Sequence, residues 1–112
     1  MNIINCTPHP INILGEDNEV ILSLPKGEII PRLATSTKKV ASINNISITE
    51  TVLGEVKDLP KEDFGKFGLN TIFIVSRLVL SACKDRKDLV VPNELVRDSE
   101  GKILGCKSLA RN

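Results

Sequence analysis

The chain has 112 residues, 41% of them hydrophobic and 26% charged, the size and balance of one globular domain over residues 1–112. Lys and Arg total 15 against 14 Asp and Glu, so a net charge of +1 supplies no long-range field for a nucleic-acid polymer or an anionic membrane. The only aromatic residues are Phe64, Phe67 and Phe73, which argues against single-strand binding by rows of stacked rings and leaves any anion recognition to local groups.

Met1 to Asn5 carries neither the basic stretch nor the long apolar run of a secretory signal. No apolar run approaches the roughly 18 residues of a membrane span, so a cytosolic location is expected. Short β-branched runs follow, separated by turn chemistry. Ile11–Leu14 precedes Gly15-Glu16-Asp17-Asn18, and Val20–Leu24 precedes Pro25-Lys26-Gly27. Next come Ile29–Thr35, Lys38–Ile43 and Ile46–Val52, the last two joined by Asn44-Asn45, a pair that tolerates the left-handed backbone of a tight hairpin turn. These runs predict an N-terminal antiparallel β-meander of about five strands.

Residues 57–70 are charged and rich in Gly and Pro, and read as a loop. A functional reading of the same segment is a flap over a ligand, with Phe64 or Phe67 stacking on a base. Thr71–Val75 predicts a buried strand. Ser76 then suits the N-cap of a short helix from Arg77 to about Lys84, with Leu78, Val79 and Ala82 on its apolar side. Leu89–Val91 is extended because the residue before Pro92 avoids helical geometry. Leu95–Arg97 and Lys102–Leu104 flank Asp98-Ser99-Glu100-Gly101 as a last hairpin. The fold class is therefore α+β: an N-terminal antiparallel meander, one short helix after a central strand, and a C-terminal hairpin.

The chemistry of catalysis finds little support. The single histidine, His9, stands between prolines in Thr7-Pro8-His9-Pro10 and reads as structural or ligand-contacting rather than as a general base. Cys6 and His9 have a metal-like spacing, but a second such pair is missing, so no metal is expected. Cys6, Cys83 and Cys106 are widely spaced and read as buried reduced thiols. No phosphate-binding glycine motif is present, and no cofactor is expected.

The arginines carry more. Ten lysines accompany only five arginines, and the guanidinium fork suits bidentate phosphate recognition. Arg32 lies in an otherwise apolar run, Arg77 opens the helix beside Ser76, and Arg97 leads into a turn. Each reads either as a surface ion pair or as part of a phosphate site, with Ser76 and Arg77 the best local candidate. Arg111 near the C-terminus is a further candidate. Asn93 and Glu94 can meet a base or ribose edge. A domain this small has little volume for a deep private pocket, so sites shared between protomers are expected.

Three stretches together carry a resemblance: Ile3–Ile13, Thr71–Ser76, and Asp88–Pro92 with Val96-Arg97-Asp98 and Gly101–Cys106. They resemble the first type of the Thoeris anti-defence sponge family, phage-encoded proteins. The similarity covers both ends of the chain and is weaker from about Lys38 to Asn70. It implies a non-enzymatic protein of the host cell cytoplasm that sequesters a cyclic ADP-ribose isomer made by a bacterial immune sensor, and so blocks effector activation. It further implies a hexamer built as a trimer of dimers, with cyclic oligonucleotides held at separate sites. By motif it points to Phe73, Ser76, Arg97 and Asp98 as ligand-binding residues, beside Arg32, Arg77, Asn93 and Arg111 from the residues themselves. Phe73 reads equally well as core. The alternatives are a phage structural or protein-interaction module with exposed β edges, and a small hydrolase using His9 and Cys6.

Overall fold

In the computed structural model, which describes residues 1–112, the chain is mostly β with one short helix. The strands are β1 (Asn2–Asn5), β2 (Ile11–Leu14), β3 (Val20–Leu24), β4 (Thr35–Ile43), β5 (Ile46–Leu53), β6 (Phe64–Gly65), β7 (Gly68–Leu69) and β8 (Thr71–Ile74). The helix α1 (Arg77–Ala82) follows, and then β9 (Leu89–Arg97) and β10 (Ile103–Ala110).

The apolar run of β8 becomes the inner strand that the sequence predicts, because both flanks find parallel partners. β1 pairs with it from Asn2 opposite Thr71 to Asn5 opposite Ile74, and β9 pairs through Phe73 opposite Leu89 and Ile74 opposite Val90. β9 and β10 form the C-terminal hairpin, longer than the sequence suggests: Pro92 pairs with Leu109 inside one nine-residue strand, so the chain does not break there. The full order is β1-β8-β9-β10-β2-β3.

The seam between β10 and β2 is narrow, held in register by Cys106 opposite Ile13. It depends on Gly105, where an added Cβ would lie 2.7 Å from the Asn12 carbonyl oxygen.

The expected five-strand meander is corrected. Four of the expected runs form two separate hairpins, β2–β3 and β4–β5, and β1, which is not among them, pairs with β8. Ile29–Ala34 forms no strand of its own. Pro31 lacks an N–H donor, and the segment makes only an isolated bridge, with the Arg32 and Lys57 amides each donating to the other's carbonyl. The predicted loop at 57–70 contains the small β6–β7 hairpin.

Ser76 caps α1 as predicted, its hydroxyl accepting from the Val79 amide at 3.3 Å. The helix ends at Ala82 rather than Lys84. It buries Val79 and Leu80 and leaves Leu78 exposed, so its inner side is turned by about one residue from the one expected. Asn112 donates to the Leu80 carbonyl oxygen at 2.9 Å and closes the helix C-terminus.

The core cluster contains Cys6, Phe73, Val75, Val79, Leu80, Leu89 and Val91, with Leu33, Val56 and Leu59 packed against it. Beyond it, Ile74, Val90, Leu14 and Cys106 are also buried. The β4–β5 hairpin stands apart as an arm. Apart from Leu53 at its base, half-buried, every residue of it is exposed. The molecule measures 51 × 43 × 23 Å, and its radius of gyration of 17.0 Å exceeds the roughly 13 Å of a compact chain this long.

Candidate functional site

Two of the predicted ligand residues meet in one cleft. A cavity of about 380 Å³ is lined by Thr7, Pro8, His9, Ile11, Val75, Ser76, Arg77, Val91 and Pro92. One wall is the loop between β1 and β2, and the buried side chain of Asn5 organises it. Asn5 Nδ2 donates to the His9 carbonyl oxygen at 2.8 Å and to that of Pro25 at 2.9 Å. Its Oδ1 accepts from the Thr7 amide at 3.0 Å and from the Thr7 hydroxyl at 2.7 Å. All of this amide's main valences are thereby satisfied, so the loop is held in one conformation.

Gly27 closes the same knot. Its amide donates to the Thr7 carbonyl oxygen at 2.8 Å, and an added Cβ would lie 2.4 Å from the Asn5 carbonyl oxygen.

The opposite wall is the start of α1. Ser76 and Arg77 are exposed there, while Val75 and Val91 beneath them are buried. The cavity thus offers a positive guanidinium and a histidine above an apolar floor. His9 and Arg77 are its only titratable side chains, and the hydroxyls of Ser76 and Thr7 are both engaged in the contacts already described.

Two further cavities share Glu28, Ile29 and Pro60 in their linings. One of about 400 Å³ is lined in part by Ile4, Cys6, Leu24, Gly27, Ile29 and Phe73, and its neighbour of about 650 Å³ by Glu28, Ile29, Arg32, Asp58 and Pro60 among others. Phe73 is 6% exposed and belongs to the core cluster, and it shows only part of its surface to the first of these. Arg32 stands exposed in the second, beside Glu28 and Asp58.

The other predicted residues line none of these three cavities. Arg97 and Asp98 build the β9–β10 turn: Arg97 Nη1 donates to the Gly101 carbonyl oxygen at 2.9 Å, and Asp98 Oδ1 accepts from the amides of Glu100 and Lys102. Asn93 is half-buried on β9, opposite Ser108, and Arg111 is exposed beyond β10. Glu94, next to Asn93, has φ 52, an unusual left-handed conformation for a side chain of this type within a strand.

The cysteines are all free: Cys6 and Cys106 are buried and Cys83, at the helix C-cap, is half-buried. Burial pushes all three thiols above their ordinary range, which disfavours the thiolate needed by a nucleophile. Cys6 belongs to the core, while His9 is exposed. No three His, Cys, Asp or Glu side chains converge as a metal-binding group.

Sequence reasoning missed two polar devices, one that shapes the cleft and one that ties the 57–70 segment to the chain before β9. One is Asn5. The other is Arg86, whose Nε and Nη2 reach Asp88 at 2.8 and 2.7 Å while Nη2 also donates to the Pro60 carbonyl oxygen. Donating to the Asp88 carboxylate holds the Arg86 pKa above its ordinary value, so this guanidinium stays charged and is occupied by Asp88 and Pro60.

No helix is long and apolar enough to cross a membrane. Comparison with known protein families, characterised proteins and solved structures gives no match.

Proposed function

We propose that this chain is a non-enzymatic sponge for a small cyclic nucleotide, a phage protein acting in the host cytoplasm to remove an immune signal such as a cyclic ADP-ribose isomer. The observation that carries this reading is the cleft of His9, Ser76 and Arg77. It offers one fixed cation and an imidazole over an apolar floor, on a loop locked by Asn5. An apolar surface receives a base, and Arg77 meets a phosphate.

The same cleft supports binding more than turnover. Its hydroxyls have no activating base with a third group to orient it, and no carboxylate lines it. At about 380 Å³ it falls near the lower end of ligand pockets, and a surface cleft of this size gains enclosure when a second protomer covers it. Cyclic oligonucleotides are then candidates for the Arg32 cavity, at a separate site.

Isothermal titration with the cyclic ADP-ribose isomer tests this assignment. Arg77→Ala should weaken binding by about ten- to a hundredfold, the worth of a charge-assisted hydrogen bond, while Arg97→Ala leaves it unchanged. Equal affinities for wild type and Arg77→Ala would move the site elsewhere. A second reading, a protein-interaction module, is favoured by the exposed apolar arm; it predicts no heat with any nucleotide and capture of a protein partner.

A further inference from the structure

The cavity of about 400 Å³ shares no lining residue with the cleft of His9 and Arg77. It combines apolar surface, an unpaired strand edge and two unpaired charges. Cys6 and Phe73 in its lining are buried, whereas Ile4 and Ile29 are 45% and 59% exposed.

The strand edge belongs to β1, which ends the six-stranded sheet with β8 as its single neighbour. The Asn2 amide donates to the Asn70 carbonyl oxygen at 2.7 Å, and the Cys6 amide to that of Ile74 at 2.8 Å. Backbone groups alternate sides along a strand, so Asn2, Ile4 and Cys6 face β8 while Ile3 and Asn5 face away from it. Gly27 packs against the Asn5 carbonyl and closes the slot at that end. The N–H and C=O of Ile3 are left at the cavity without a partner. A donor and an acceptor on one residue, aimed the same way, match those of one residue in an antiparallel peptide. The residues flanking that one turn their side chains to the other face of the strand, where Ile4 stands opposite Phe73.

The charges are Lys26 and Glu28, on either side of Gly27, both exposed and both in the lining. Neither is engaged within the chain, since both ion pairs belong to Arg86. Residues two apart lie at most about 7 Å from one another, and so do the first and third residues of an extended tripeptide. Opposite charges at that spacing complement the ammonium and carboxylate of a free tripeptide. A polyanion would be repelled by Glu28, and a purely apolar ligand would leave both charges and the Ile3 backbone unanswered.

We propose that this cavity binds a short free peptide. Its central residue exchanges both backbone hydrogen bonds with Ile3, its flanking apolar side chains lie against Ile4 and Phe73, and its termini meet Lys26 and Glu28. The site is additional to the nucleotide cleft and needs no nucleotide.

The test is titration of the ¹⁵N-labelled full chain with the free tripeptide Leu-Ala-Leu, followed by amide chemical shifts, with far-UV circular dichroism to verify the fold of each variant. Saturable shifts are expected at Ile3, Gly27 and Ile29. Three altered peptides should each bind about tenfold more weakly or worse: Ala-Ala-Ala, which lacks the apolar side chains; Leu-Ala-Leu acetylated and amidated at its ends; and Leu-Ala-Leu N-methylated at its alanine, which lacks the central donor. Lys26→Ala and Glu28→Ala should each weaken Leu-Ala-Leu about tenfold, and both side chains are exposed, so the fold is retained. Absence of saturable shifts at millimolar peptide would overturn the proposal, as would equal binding of the N-methylated peptide or indifference to both substitutions. Equal binding of the end-blocked peptide would overturn it too, by making the cavity a dock for a segment within a protein.

Discussion

Arginine 86 and arginine 77 are alike in the sequence and opposite in the fold. Arg86 pairs with Asp88, which is 0% exposed, so truncating it strands a buried carboxylate. Arg86→Ala should cost about 3 kcal/mol in urea denaturation, the penalty for breaking a buried pair, while Arg77→Ala should stay within about 0.5 kcal/mol. A difference below about 1 kcal/mol between the two would mean that the pair is not holding the 57–70 segment to the sheet.

The buried thiols give a second residue-level consequence. Burial raises Cys6 and Cys106 above the ordinary value of 9.0, so the folded chain keeps their protons at pH values where the unfolded chain has lost them. Their stabilising contribution is then full below 9.0 and falls as pH rises beyond it. The urea midpoint should drop between about pH 8 and about pH 10, and less steeply in Cys6→Ala/Cys106→Ala than in wild type. Parallel slopes would contradict this.

At the level of elements, the features written locally were legible. Asn44 and Asn45 adopt φ 51 and 65 and close the β4–β5 hairpin, and Gly101, at φ 82, serves the β9–β10 turn, as the turn chemistry predicts. Ser76 caps α1 for the same reason, since a hydroxyl before a helix has one nearby amide to satisfy. Pairing between distant segments was not legible. β1 lies outside the predicted runs, its partner is almost seventy residues away, and nothing in Ile3-Ile4 distinguishes a parallel partner from an antiparallel one. The site shares this limit. Ser76 and Arg77 were readable as a pair, but their meeting with His9 depends on the parallel β1–β8 ladder and the Asn5 knot.

The β10–β2 seam offers a test at this scale. Gly105→Ala would force a Cβ against the Asn12 backbone and should destabilise the chain by about 1–3 kcal/mol in urea denaturation, far more than the same change at Gly15, where an added Cβ meets only the end of the flexible Glu19 side chain. Equal effects at both glycines would mean that β2 can move away from β10 without loss.

For the whole molecule, a charge near zero and a surface larger than a compact monomer needs belong together. Arg77 and Arg32 stand exposed at two of the clefts, and Ile43, Ile46, Ile48 and Val52 leave apolar area exposed on the β4–β5 arm. Assembly and sequestration also support each other physically, because a shallow cleft holds a ligand tightly only when something covers it and slows release.

Capture without turnover can be measured directly. The protein is incubated with the cyclic ADP-ribose isomer, the free ligand is separated by filtration, and the retained fraction is heated and chromatographed. A sponge depletes the free ligand to the extent of the available sites and returns the unchanged molecule on heating. Recovery of a hydrolysed product, or a free-ligand concentration that the protein does not lower, would contradict it.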